Sequence, residues 1–166
     1  MASVLHLHRA LVERPPDLRL PGVRVRTFAG PADVDVWLEL RHKAFAREKI
    51  GVRAWDAADF QAEFLAKPWW NPERLWFALA EPTLLKSAQA VGTVTLAERA
   101  GSSETVAVVH WLAVLPSWRR RGIGRLLLNT LHQAAWDAGY REVHLETHAG
   151  WTSAVKLYQA EGYVAD

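Results

Sequence analysis

The sequence predicts an α/β fold on a single sheet, with a parallel component in its second half. Two observations carry this. From Thr105 onward, apolar stretches follow the order strand, helix, strand, helix, strand, which is how crossover helices join parallel strands. The first half supplies further strands and two helices, and no Pro-, Gly- or Ser-rich linker separates the halves. One core is therefore expected, as a single domain over residues 1–166.

Residues 4–12 alternate well enough for a short strand, which Pro15-Pro16 breaks, so 1–20 reads as an extra amino-terminal strand or arm. Residues 22–28 alternate more cleanly and are expected to be the first strand of the sheet proper. Pro31 suits a first helical turn, and Val34, Trp37, Leu38 and Phe45 mark an apolar face that runs to about Ala46. Asp56 can cap a second helix to Ala66, with Phe60 and Phe64 one turn apart and Pro68 ending it. Arg74 to Ala80 and Ala88 to Glu98 read as an antiparallel pair, and Gly101-Ser102-Ser103 as the next turn. The strand Thr105 to Leu115 is followed by a helix from about Gly124 to Ala138, stopped by Gly139. Glu142 to Thr147 is a strand, Thr152 to Glu161 a helix, and Gly162-Tyr163 opens a final strand.

Composition narrows the function classes. The 166 residues are 50% hydrophobic and 23% charged, an ordinary globular balance. No apolar run approaches the ~20 residues of a membrane span, and His6, His8 and Arg9 interrupt the first segment, so neither a membrane nor a signal peptide is expected and the location predicted is cytoplasmic. With no cysteine, disulfides, thiolate metal sites and a cysteine nucleophile are excluded. A net charge of +2 with scattered arginines offers no stripe for nucleic acid.

The basic residues do concentrate once, at Arg119-Arg120-Arg121-Gly122-Ile123-Gly124-Arg125, between the apolar strand and the helix. At such a turn the first helical N–H groups lack intrahelical partners and the helix dipole favours an anion. Glycines let the backbone approach a phosphate closely. A solvated basic turn is the plainer alternative, and the position between strand and helix favours the phosphate cradle.

With these elements in order, the second half resembles the GNAT superfamily of acyl-CoA-dependent N-acetyltransferases. Trp111-Leu112-Ala113-Val114-Leu115-Pro116 looks like the family strand ending in hydrophobic-Val-x-Pro, and Arg119 to Gly124 fits Q/R-x-x-G-x-G/A. Ala154, Leu157-Tyr158 and Gly162-Tyr163 fit its closing A-x-x-L-Y-x-x-x-G-F/Y pattern. The resemblance is close from Ala88 to Tyr163 and extends to the first half only in element order. It implies a mixed, mostly antiparallel twisted sheet with two splayed parallel central strands, flanked by about four helices. Acetyl-CoA, as cosubstrate, would insert where 105–115 and 142–147 part. Backbone groups around Leu112, Ala113 and Val114 would pair with the pantetheine amides, and Arg119, Arg120, Arg121, Gly122, Ile123, Gly124 and Arg125 would hold the pyrophosphate.

The implied chemistry is direct attack of a primary amine of a small molecule or peptide on the thioester. Tyr158 matches the family tyrosine near the CoA sulfur and is the expected proton donor, with core packing as its alternative. His110 is the first candidate base, with a hydrogen-bonded core histidine as its alternative. Its parity with Leu112 and Val114 places all three on one strand face. Glu146 and His148 are the other candidate bases, sharing a face with His144. The three histidines have no metal-ligand spacing, and no metal is expected.

Two departures from the family pattern stand out. Trp151 stands where the family often has an asparagine that contacts the pantetheine arm; it would instead stack on CoA or line the acceptor site, with a surface or core tryptophan as the alternative, and Ala154 would line the donor site. The family adds a strand after the G-F/Y element, whereas this sequence stops at Asp166. The edge so left could be covered by 4–12, by a second subunit in a homodimer, or by a longer native tail. The acceptor is expected to meet residues 31–70, which carry Trp37, Trp55, Trp69 and Trp70, with Asp56, Asp59, Glu63 and Glu98 available to an ammonium group. A CoA-binding regulatory or interaction module with weak chemistry is the alternative function.

Overall fold

A computed structural model of the chain describes residues 3–48 and 51–166. Its strands are β1 (Val4–Ala10), β2 (Val23–Thr27), β3 (Leu75–Ala80), β4 (Gln89–Ala100), β5 (Thr105–Val114), β6 (Glu142–His148) and β7 (Val164–Ala165). The helices are α1 (Ala32–Phe45), α2 (Ala57–Phe60), α3 (Ile123–Asp137) and α4 (Thr152–Ala160), and a wider π turn, Gln61–Leu65, continues α2. One sheet runs β2-β3-β4-β5-β6-β1-β7. Every neighbouring pair is antiparallel except β5 and β6. This is the mixed, mostly antiparallel sheet with four helices that the family resemblance implies, and its one parallel pair lies in the second half of the chain.

The centre of the sheet follows from its apolar runs. Every residue of β3 is buried, as is β4 from Val91 to Ala97, so both faces of these strands must be covered. An added Cβ at Gly92 would stand 3.0 Å from both Ile123 and Leu127, so α3 lies close on that face. The opposite face, carrying Thr93 and Thr95, receives α1 and the α2 segment.

Asp56 caps α2 as expected, within a reciprocal box with Asp59. Phe60 and Phe64 are fully buried with ring centroids 4.7 Å apart. The expected face of α1 differs in one respect. Its buried stripe is Trp37, Leu40, Arg41 and Ala44, whereas Val34, Leu38 and Phe45 lie at its margins, half-buried. A charged residue thus occupies a position where the helical period calls for an apolar one.

The amino-terminal segment takes the place beside β6. β1 pairs with β6 over seven residues, from Val4↔His148 to Ala10↔Glu142. β7 adds to the far side of β1 through Leu7↔Ala165 and His8↔Val164. The final strand begins at Val164 rather than at Gly162, because Gly162 (φ 91°) turns the chain out of α4 and Tyr163 is buried. The Tyr163 hydroxyl lies 2.6 Å from His132 Nε2, and Arg9 Nη1 is 3.2 Å from His132 Nδ1. Since arginine only donates, Nδ1 accepts and Nε2 carries the proton given to Tyr163. Among the described residues no helix is long and apolar enough to cross a membrane.

Candidate active site

β5 and β6 pair only at Ala107↔Val143 and Val108↔His144. Beyond these pairs the strands part, so the facing edges of 109–114 and 145–148 are free to bond another chain of amides. A cavity of about 1290 Å³ opens there, lined by both strands, the α3 amino terminus and α4. Leu112, Ala113, Val114, Glu146, Trp151, Ala154 and Tyr158 all line it.

A bulge in β5 changes which side chains face which way. Thr93 pairs with Ala113 and Thr95 with His110, so Val94 opposes two residues, Trp111 and Leu112. Directly opposed residues share a face. His110 therefore lies with Ala113 on the α1 side, while Val114, opposite Gly92, lies on the α3 side with Leu112. The expected shared face of His110, Leu112 and Val114 is thus corrected, since parity counting holds only in a regular strand. Trp111 carries the distortion at φ 49°. For a bulky residue this left-handed conformation costs on the order of 1–3 kcal/mol.

At the cradle the two glycines do different work. Gly122 has φ 86°, and a Cβ there would make only ordinary contact with Leu20 at 3.6 Å, so its conformation rather than its size is what the turn requires. Gly124 is helical, and a Cβ there would stand 2.7 Å from Leu157, so its small size lets α4 approach α3. The first α3 bond is Leu126 N–H to Gly122 O. The N–H groups of Ile123, Gly124 and Arg125 thus precede the helical ladder, and Gly122, Ile123 and Gly124 line the cavity, the arrangement an anion needs.

The cradle arginines also divide. Arg119 donates from Nε to Val114 O (3.1 Å), from Nη1 to Glu48 (3.0 Å) and from Nη2 to Ala44 O (2.6 Å). Its side chain ties the end of α1 to the end of β5. Arg120, at φ 61°, is exposed at the cavity rim. Arg121 lies over the Trp118 ring at 4.6 Å, and Arg125 Nε is 3.5 Å from Glu161; neither lines the cavity.

Of the candidate reactive groups, Tyr158 is buried against Tyr163, and burial pushes its phenol up from the ordinary value. His110 lies among Phe64, Trp69 and Trp111 at centroid distances of 5.3, 5.9 and 6.1 Å. Burial, with a smaller contribution from Lys67, lowers its pKa to about 4, so the imidazole is neutral at pH 7. Glu146 is 60% exposed and sits 3.4 Å from His6 across the β6–β1 pair, on the outer rim of the cavity. His148 accepts the Gly150 N–H at Nδ1 (3.0 Å), which ties it into the turn after β6.

The family model for the acetyltransferase (GNAT) family matches residues 37–163. The chain belongs to this family. Among curated proteins, mycothiol acetyltransferase from Geodermatophilus obscurus is 32% identical over 165 residues, and that from Thermobispora bispora 29% identical over 162. The matches cover 96% and 97% of this chain but 51% and 53% of the relatives, so the chain spans about half the length of the curated relatives it matches. Among solved structures, a GCN5-related N-acetyltransferase from Sphaerobacter thermophilus superimposes with a TM-score of 0.75 at 23% identity, covering 99% of this chain and 49% of that one.

In this GNAT chain most of the early tryptophans pack together. Trp37 is fully buried and touches Trp55, Phe60 and Phe64, and Trp70 packs on Phe28 and Phe64. Of the four, Trp69 alone lines the cavity, beside Glu63, Lys67, Glu98 and Arg99. Trp111 and Trp118 also line it. Trp151 meets Phe45 at 5.1 Å and His148 at 5.7 Å, closing the cavity between α1 and α4. Glu98 accepts from Tyr140 Oη (2.5 Å) and Arg74 (3.1 Å), which holds its carboxylate in place at that end.

Proposed function

We propose that this chain transfers the acetyl group of acetyl-CoA to a primary amine of a small molecule or peptide by direct attack on the thioester. The parting of β5 and β6 directly above the α3 amino terminus carries the reading. It offers free strand edges to the pantetheine amides and free N–H groups to the pyrophosphate within one cavity. The name acetyltransferase shared by the curated relatives supports the same reaction.

In this reading the amine nitrogen attacks the carbonyl carbon while the C–S bond breaks. His110, neutral in its aromatic surroundings, takes the amine proton directly or through a water. Tyr158 keeps its hydroxyl protonated across the working pH range and donates to the leaving sulfur. Solvent then restores the Tyr158 proton and takes the one held by His110, leaving CoA thiol, the N-acetyl amine and the enzyme in its starting state. Glu146, at the rim beside His6, suits drawing in a cationic amine better than deprotonating it. Because His110 titrates at about 4, kcat/KM should show no His110 inflection between pH 5 and 8.

A pooled amine panel assayed for acetyl-CoA-dependent thiol release tests the proposal. Gly122→Glu places a carboxylate and a strained φ in the cradle and is expected to abolish release. Tyr158→Phe should lower kcat by about a hundredfold, the scale of one general acid. Unchanged turnover in both variants would overturn the site assignment, and a wild type that acetylates nothing in the panel would overturn the reaction.

A further inference from the structure

Arg41 is an unusual presence in the buried stripe of α1. It is 3% exposed, and its neighbours along the stripe, Trp37, Leu40 and Ala44, are apolar. No carboxylate pairs with it among the described residues. Its Nη1 donates to Arg53 O at 2.9 Å, while its buried Nε finds no partner among the described residues. The guanidinium lies instead over two rings, 4.3 Å from the centroid of Trp55 and 4.4 Å from that of Trp111. Burying a cation without a counter-ion is costly, and an apolar side chain of similar length would fit the stripe at less cost. Two π faces offset part of that cost. One of them belongs to Trp111, the residue held at φ 49° in the β5 bulge.

We propose that Arg41 is a positioning residue for the donor site: its guanidinium clamps Trp111 in the bulge, and so keeps β5 parted from β6 where acetyl-CoA lies. The inference rests on the acetyl-CoA reading above. Were Trp111 to relax to an extended conformation, β5 would be regular past Val108. The parallel register, Ala107↔Val143 and Val108↔His144, would then continue toward Leu145 and Glu146. The two strand edges that the pantetheine needs would bond each other. The ring contacts of Trp111, with Trp55 at 5.4 Å, Phe45 at 5.8 Å, His110 at 6.1 Å and Trp37 at 6.5 Å, are all T-shaped, and among the described cationic side chains Arg41 alone is stacked over the ring.

Arg41→Met keeps length and removes the charge, which relieves an unpaired buried cation and should leave the fold intact. KM for acetyl-CoA is expected to rise about tenfold, the equivalent of one lost cation–π contact, with kcat at saturation changing much less. Deuterium exchange at the backbone amides of 109–114 should slow in the same variant, because β5 and β6 re-pair. Arg41→Lys, which keeps charge without the planar face, should fall between the two. A KM and exchange pattern equal to wild type would overturn the proposal, as would a loss of activity that only tracks loss of folded protein at unchanged KM. If Arg41→Met does not fold, Arg41→Lys is judged by the same criteria. Exchange needs no turnover, so failure here is separable from absence of acetyl transfer in the wild type, which counts against the reaction itself.

Discussion

His110 and His132 are both imidazoles kept neutral chiefly by burial, with pKa values lowered to about 4 and about 3. In the unfolded chain each would titrate near its ordinary value of about 6.5. Between these limits the unfolded state binds more protons, so stability rises with pH through that window and is lost as pH falls from about 6.5 toward 4 and 3. Thermal melts at pH 7.5 and 5.0 are expected to show a clear loss at the lower pH. His132→Gln should shrink that loss, because one of the two protons no longer contributes; equal losses in both proteins would contradict the assignment. At this scale the sequence is informative where a residue's chemistry and its motif agree. Gly122 and Tyr158 are legible because the turn between strand and helix and the closing motif each demand their residue type. Arg41 is not legible, since a periodic reading places arginine on the solvent face, and only the two rings over which it lies explain its burial.

α1 and β5 meet through Arg119, whose three hydrogen bonds satisfy the carbonyls of Ala44 and Val114 and hold Glu48. The Ala44 carbonyl belongs to the last helical turn, where acceptors lack intrahelical partners. Arg119→Met should therefore cost about 2 kcal/mol of stability, the scale of buried acceptors left unpaired. Arg120→Met, one residue along and exposed, should stay within about 0.5 kcal/mol. Denaturant unfolding of the two variants separates them, and equal values would show that the latch carries no weight. The elements themselves are largely readable, because hydrophobic period and punctuation by Gly and Pro are local properties. The β5 bulge is not. Adding one residue to a strand leaves its composition almost unchanged while reversing the parity of everything beyond, so His110 lies on the opposite face from Leu112 and Val114. The π turn Gln61–Leu65 escapes the sequence for a similar reason, since one extra residue per turn barely alters the spacing of Phe60 and Phe64.

Across the whole molecule, β1 covers the edge that would otherwise be exposed at β6, and Leu7 and Leu11 bury themselves in doing so. Each such leucine contributes roughly 1.5–3 kcal/mol, and an uncovered strand edge invites pairing with other chains. Removing residues 1–12 is expected to yield oligomers or aggregates by size-exclusion chromatography and to abolish acetyl-CoA binding; a monomer with wild-type KM would refute this. The family resemblance makes the second half predictable, yet the seat of the first strand between β6 and β7 lies beyond local reasoning, because its partners are more than 130 residues away. β6 is one wall of the cavity, and it holds seven pairs to β1 but two to β5. β1 therefore waits for β6, more than 130 residues along the chain, and closing so long a loop is slow. The cavity wall that β6 forms is thus among the last parts of the fold to be completed, once β1 and β6 have found each other.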